Sequence, residues 1–263
     1  MVYPAIDPVA FHIGAWPVYW YGLMYLIGFV GGWALLSARL KRSPRGFTQE
    51  QLSDIVFLVA LGTIIGGRIG YMFFYDWQAL LVDPWLLFQT WKGGMSFHGG
   101  LLGVLIAVYF CARKMKKPFL AITDLIAPGV PLGLGAGRLG NFINGELWGR
   151  AVDVPWAMVF PNGGDLPRHP SQLYEFGLEG VLLFCLLWFY SRKPRPLGAV
   201  SGFFALGYGI FRCIAEWYRE PDVQIGYLAF GWVTEGQLLS IPLILVGILL
   251  VAYAYKNKRG SQS

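Results

Sequence analysis

Seven long apolar runs separated by short polar connections set the plan of the chain. They lie at about Val18–Ala38, Ile55–Tyr75, Phe97–Ala112, Leu125–Ile143, Gln172–Tyr190, Ala199–Tyr218 and Gly236–Tyr255. Each is close to the roughly 20 residues that a helix needs to cross hydrocarbon. Residues 1 to 17, with Pro4, Pro8 and Pro17, read as an irregular or interfacial lead-in. No basic stretch precedes the first run, so that run is expected to stay as an anchor. The connection from 144 to 171 is too polar and too rich in Pro and Gly to be a span. The pattern predicts one polytopic, all-α integral membrane domain over 1–263, with irregular connections at 76–96, 144–171 and 219–235.

Charge then supplies direction. The stretches after runs one, three, five and seven hold fourteen of the 21 Lys and Arg, among them Arg39 to Arg45, Arg113 to Lys117, Arg192 to Arg195 and Lys256 to Arg259. Basic residues collect on the cytoplasmic side, so the N-terminus is expected outside and the C-terminus in the cytoplasm. The net charge of +6 is therefore a topology device, and nucleic acid drops out as a partner.

With that orientation the membrane depth of each polar group follows. Arg68, Arg138 and Arg212 fall in the outer halves of runs that travel outward. His98, Glu175 and Glu179 fall at the outer ends of runs that travel inward. Ionisable groups inside a membrane are functional candidates, and they face a wet cavity or the interior of a bundle. Tyr208, Arg212 and Glu216 recur every fourth residue, with Arg219 three further on, forming one polar stripe. A ladder of salt bridges is the alternative for the stripe. Two arginines need more counter-charge than Glu216 alone supplies, which points to a bound anion. Snorkelling to the headgroups is the alternative for Arg138.

Gly129, Gly133 and Gly137 offer a small-residue face for packing, after a ladder interrupted by Pro128 and Pro131. Gly67-Arg68-Ile69-Gly70 faintly echoes Gly137-Arg138-Leu139-Gly140, too briefly to claim a duplication. His98 opens the third run, where a neutral imidazole would be favoured and could take a proton; a hydrogen-bonded interfacial histidine is the bland reading. Tyr19, Trp20 and Tyr21 read on physics alone as an aromatic belt.

Composition agrees. The chain is 56% apolar and 14% charged, against roughly 25% charged in an average soluble domain. Cys111, Cys185 and Cys213 sit in apolar runs without metal-type spacing, and the three histidines form no zinc motif, so no metal is expected.

The segment from Gly137 to Arg150, GRLGNFINGELWGR, resembles the signature of the bacterial prolipoprotein diacylglyceryl transferases. So, in the same order, do Ser96–Gly100, His169–Glu175 and Phe211–Asp222. The resemblance implies an inner-membrane enzyme of seven spans with its site on the periplasmic side. It would move diacylglyceryl from phosphatidylglycerol to the lipobox cysteine of a preprolipoprotein, forming a thioether and releasing glycerol phosphate. The family's important positions match Tyr21, His98, Arg138, Asn141, Glu146, Gly149, Arg212, Glu216 and Arg219 here. Arg138 and Arg212 are expected to hold the lipid phosphate, since a guanidinium is always charged and forked to suit it. His98 would take the thiol proton, and Tyr21, Asn141 and Glu146 would orient the headgroup. Gly149, Glu216, Arg219, Tyr208 and Arg68 complete the expected phosphatidylglycerol site. The nucleophile belongs to the substrate, so no cofactor is expected, and the chain is expected to act as a monomer among membrane lipids.

A transporter or flippase for an anionic solute or lipid is the main rival, but its pathway would need polar groups in the inner halves, which are almost uniformly apolar here. A retinal protein would need a lysine in the seventh span, and a serine protease a nucleophile turn that Ser96 lacks.

Overall fold

The computed structural model describes residues 1–43, 45–221, 226–228 and 230–260, without the side chains of Lys92 and residues 258–260. Asp222, the last residue of the segment matched at the sixth run, lies outside the described residues.

The lead-in is not irregular throughout. Strands β1 (Val9–Ile13) and β2 (Trp16–Tyr19) pair antiparallel, with Ile13 opposite Trp16. Gly14 takes the positive φ of 61° that the two-residue turn needs. Pro17 is accepted because a two-stranded ribbon has only edge strands.

Helices follow: α1 (Trp20–Arg42), α2 (Gln49–Phe74), α3 (Trp77–Val82), α4 (Phe97–Met115), α5 (Phe119–Ile126) and α6 (Val130–Ile143). Then come α7 (Ser171–Glu175), a π-helical segment (Phe176–Leu182) and α8 (Leu183–Tyr190) in one continuous rod, and finally α9 (Ala199–Glu216) and α10 (Glu235–Gly260). Among the described residues six helices are long and apolar enough to cross a membrane, or seven if α5 and α6, bent by 53°, count as one span. The stretch expected to span from Leu125 to Ile143 is divided, with α5 ending at Ile126 and α6 starting at Val130. Pro128 has no N–H to give, and the chain restarts through Val130 N–H to Ala127 O at 3.3 Å.

The chain divides into two compact units. One comprises Leu35–Ile126. Thr48 caps α2 with a reciprocal bond from Gln51, and the core gathers Leu36, Leu52, Ile55, Val108, Cys111 and Ile122. α2 and α4 meet through glycines: a Cβ on Gly66 would sit 2.9 Å from the Gly103 Cα, and one on Gly70 would sit 2.7 Å from the Gly99 Cα. Small residues let membrane helices approach until their backbones touch.

The other unit comprises Met1–Ala34 and Ala127–Ser263. Its core holds Ala127, Leu183, Leu187 and Val200, flanked by Phe203 and Phe204. The small-residue face expected at Gly129, Gly133 and Gly137 is only partly used. Gly28 comes down on the Gly133 backbone, but a Cβ at Gly137 would meet nothing within 4 Å. The tight approach on α6 is instead Gly135 against Gly180 of the π-helical segment, at 3.1 Å from a built Cβ.

Gly103→Leu is expected to cost about 3 kcal/mol by forcing α2 and α4 apart. Gly31→Ala, at a position facing open space, should leave stability unchanged. Thermal midpoints in one detergent compare the two, and equal midpoints would refute close packing as the reason for the glycines.

Candidate active site

α6 carries Arg138 and Asn141, the rod through α7 carries Glu175 and Glu179, and α9 carries Tyr208, Arg212 and Glu216. All belong to the second unit described above. Glu175 bridges both arginines: its Oε2 lies 2.5 Å from Arg138 Nε and 3.2 Å from Arg212 Nη1. Glu179, one turn on, lies 3.4 Å from Arg138 Nη2 and 3.7 Å from Arg212 Nη1. Tyr208 lies beside Glu179 and both guanidinium groups. The π-helical segment starts directly after Glu175 and carries Glu179, and such bulges recur at functional sites.

Arg212 Nη2 also donates to Glu216 Oε1, which takes Arg219 Nη1 at 3.3 Å. Glu216 Oε2 accepts the Thr234 hydroxyl at 2.8 Å. Three arginines and three glutamates thus form one linked, formally neutral network. The counter-charge that the polar stripe called for comes from Glu175 and Glu179. Access is uneven. Arg138 and Arg212 keep 18% and 11% of their side-chain surface, while Glu175 and Glu179 keep 2% and 0%. An arriving group would meet the cations first. The buried Nη1 of Arg212 makes ion-pair contacts but no hydrogen bond, and neither does Glu179 Oε1.

A second group of polar residues follows α6. Glu146 Oε1 accepts Asn141 Nδ2 at 2.8 Å and Asn144 Nδ2 at 3.3 Å. Tyr21 packs on Gly140, where a Cβ would lie 2.9 Å from its ring, and its hydroxyl shares the Asn141 side chain. The turn that presents Glu146 is strained at Leu147, which takes a φ of 59°, while Gly145 takes its 63° freely. Gln172 Nε2 holds the Glu146 carbonyl at 2.6 Å, and Ser171 Oγ holds that of Leu147 at 2.9 Å. Sequence reading missed both, because nothing in it shows a left-handed leucine.

Gly149 lies where no side chain fits, with a built Cβ 2.6 Å from the Cβ of His169. Its N–H donates to His169 O, and Arg150 N–H donates to Tyr218 O at 2.9 Å. Arg150 Nε adds a bond to Arg219 O at 3.0 Å. Residues 149 and 150 therefore lace the ends of α7 and α9 together, and Gly149 acts through shape rather than chemistry. His169 faces the Tyr174 hydroxyl at 3.0 Å, and burial pushes its imidazole pKa down.

Arg68 and His98 belong to the Leu35–Ile126 unit. Arg68 is buried and gives its N–H groups to the carbonyls of Leu86, Leu87, Gly93 and Gly94, which fixes the connection before α4. Its donors are spent on backbone, unlike those of its sequence echo Arg138. His98 stands exposed at the second position of α4, against the Phe97 ring.

A family model described as prolipoprotein diacylglyceryl transferase matches residues 8–253. The chain is 59% identical over 257 residues to the phosphatidylglycerol–prolipoprotein diacylglyceryl transferase of Pseudomonas aeruginosa, covering 98% of this chain and 97% of that one. It is 60% identical over 250 residues to the enzyme of the same name from Legionella pneumophila, covering 95% and 98%.

Glu175→Leu removes the shared carboxylate and is expected to cost about 3–5 kcal/mol, the usual penalty for stranding one side of a buried pair. Lys114→Ala breaks the exposed pair with Asp54 and should leave the thermal midpoint where it is. A midpoint as unmoved by Glu175→Leu as by Lys114→Ala would show that the bridge carries no stability.

Proposed function

The chain belongs to the prolipoprotein diacylglyceryl transferase family, and from that premise we propose how its residues divide the work. The reaction is transfer of the diacylglyceryl group of phosphatidylglycerol to a prolipoprotein, and the acceptor is the thiol of its lipobox cysteine. A sulfur–carbon bond forms at the glyceryl carbon that bears the phosphate. The carbon–oxygen bond to phosphate breaks, the thiol proton passes to a base, and glycerol phosphate leaves.

One observation carries the reading. Two guanidinium groups share the carboxylate of Glu175, and one of them keeps a buried N–H without a hydrogen bond. Arg138 and Arg212 bind the lipid phosphate and stabilise the charge that gathers on it as the carbon–oxygen bond breaks. Glu175 and Glu179 hold the pair of cations together against their mutual repulsion. Glu216, with Arg219, orients Arg212, and Tyr208 lines the same wall. Tyr21, Asn141 and Glu146 orient the glycerol headgroup, on the strength of the matched motif and their mutual bonds.

His98 is assigned the thiol proton on its matching segment and its exposed ring. Arg68, which gives its N–H groups to backbone carbonyls, holds the connection before α4. The bias of basic residues supports a periplasmic site in the bacterial inner membrane, with the N-terminus outside. Reporter fusions in the 144–171 connection and at the C-terminus check that orientation, and a cytoplasmic signal from the first would invert it.

Purified protein given radiolabelled phosphatidylglycerol and a lipobox peptide is expected to yield thioether-linked lipid. It should still do so with Cys111, Cys185 and Cys213 all replaced. No transfer by the wild type, or loss of transfer in a folded triple variant, would refute the reading. For His98→Gln, kcat/KM should fall about 100-fold. An unaltered pH profile with high activity would remove His98 from the role of base.

A further inference from the structure

We propose that Thr234 is a positioning residue for the transfer, its hydroxyl fixing the Glu216 carboxylate in the orientation that aims Arg212. The inference rests on the reading of Arg212 as a phosphate ligand and assigns a role to the start of α10, which no motif of the sequence marks.

The geometry leaves Thr234 one arrangement. Its oxygen accepts the Gln237 backbone N–H at 3.3 Å, and the Gln237 side chain accepts the Thr234 N–H at 3.1 Å, so the pair closes the first turn of α10. With its lone pair used by that cap, the hydroxyl proton is free to go to Glu216 Oε2 at 2.8 Å, and a carboxylate can only accept it. Glu216 Oε1 is taken by Arg212 and Arg219. Each carboxylate oxygen therefore has its own partner, and the plane of the carboxylate is set. Gly236 closes the remaining side, since a Cβ there would come within 2.5 Å of the Glu216 carboxyl carbon. Thr234 and Glu216 are both buried, 3% exposed each, so water does not replace the lost bond.

A single hydroxyl thus does two jobs, capping α10 and orienting Glu216, and substitution separates them. Thr234→Val removes both. Gln237→Ala weakens only the cap. Thr234→Ser keeps both. In the lipid-transfer assay Thr234→Val is expected to lower kcat/KM for phosphatidylglycerol about 10- to 100-fold, the scale of one buried hydrogen bond to a charged group. Thr234→Ser and Gln237→Ala should stay within about threefold of wild type, because each leaves a hydroxyl donating to the carboxylate. If Thr234→Val cannot be purified, Gly236→Ala reaches the same carboxylate from its other side and should lower kcat/KM with the cap intact.

Arg212→Lys is run alongside. If it collapses turnover while Thr234→Val matches Gln237→Ala, Thr234 is only a cap and the inference is overturned. If Arg212→Lys turns over like wild type, the phosphate reading of Arg212 fails first and takes this inference with it.

Discussion

A positive charge stays inside a membrane only where acceptors are built in beside it, and Glu175 supplies them to two arginines at once. Much of the surrounding unit serves to bring these groups together. Gly135 and Gly180 let α6 and the π-helical segment touch, which puts Arg138 within reach of carboxylates on the neighbouring rod. The four-residue spacing on α9 then aligns Arg212 with Glu216. Formal neutrality is what makes the cluster tolerable when no anion is present. The unequal exposure of its members is what leaves it open to one.

The second organising constraint is backbone rather than charge. The turn at Gly145 and Leu147 sits in the left-handed region and is held by Gln172 and Ser171 from the start of α7. Strain of this kind persists only where neighbours over-determine it. Gly149 continues the same logic by passing between His169 and Tyr218 with no room for a side chain. Gln172 and Ser171 hold the turn of Glu146, and residues 149 and 150 tie the segment that follows it to His169 and Tyr218.

Much of the fold was legible because bilayer thickness fixes the length of an apolar run. Six rods lie within a few residues of the expected spans. The exceptions have local causes. The run from Leu125 to Ile143 read as one helix, whereas α5 ends at Ile126 and α6 starts at Val130. The hairpin of β1 and β2 hid behind three prolines that read as irregular chain. At the site, Arg138, Arg212 and Glu216 stood out because charge in an apolar run is rare. The use made of Glu175 and Glu179 did not, because their partners lie on other helices. Arg68 shows the reverse case: it looked like a ligand by depth and motif, yet its donors are consumed by carbonyls of residues 86 to 94. Depth tells where a charge sits, and only the fold tells what it touches.

The central claim is that the arginine pair held by Glu175 receives the lipid phosphate. An experimental structure with phosphatidylglycerol bound tests it directly. The account predicts phosphate oxygens in hydrogen-bond contact with the guanidinium groups of both Arg138 and Arg212. A phosphate held elsewhere, with both arginines still locked on Glu175 and Glu179, would contradict it.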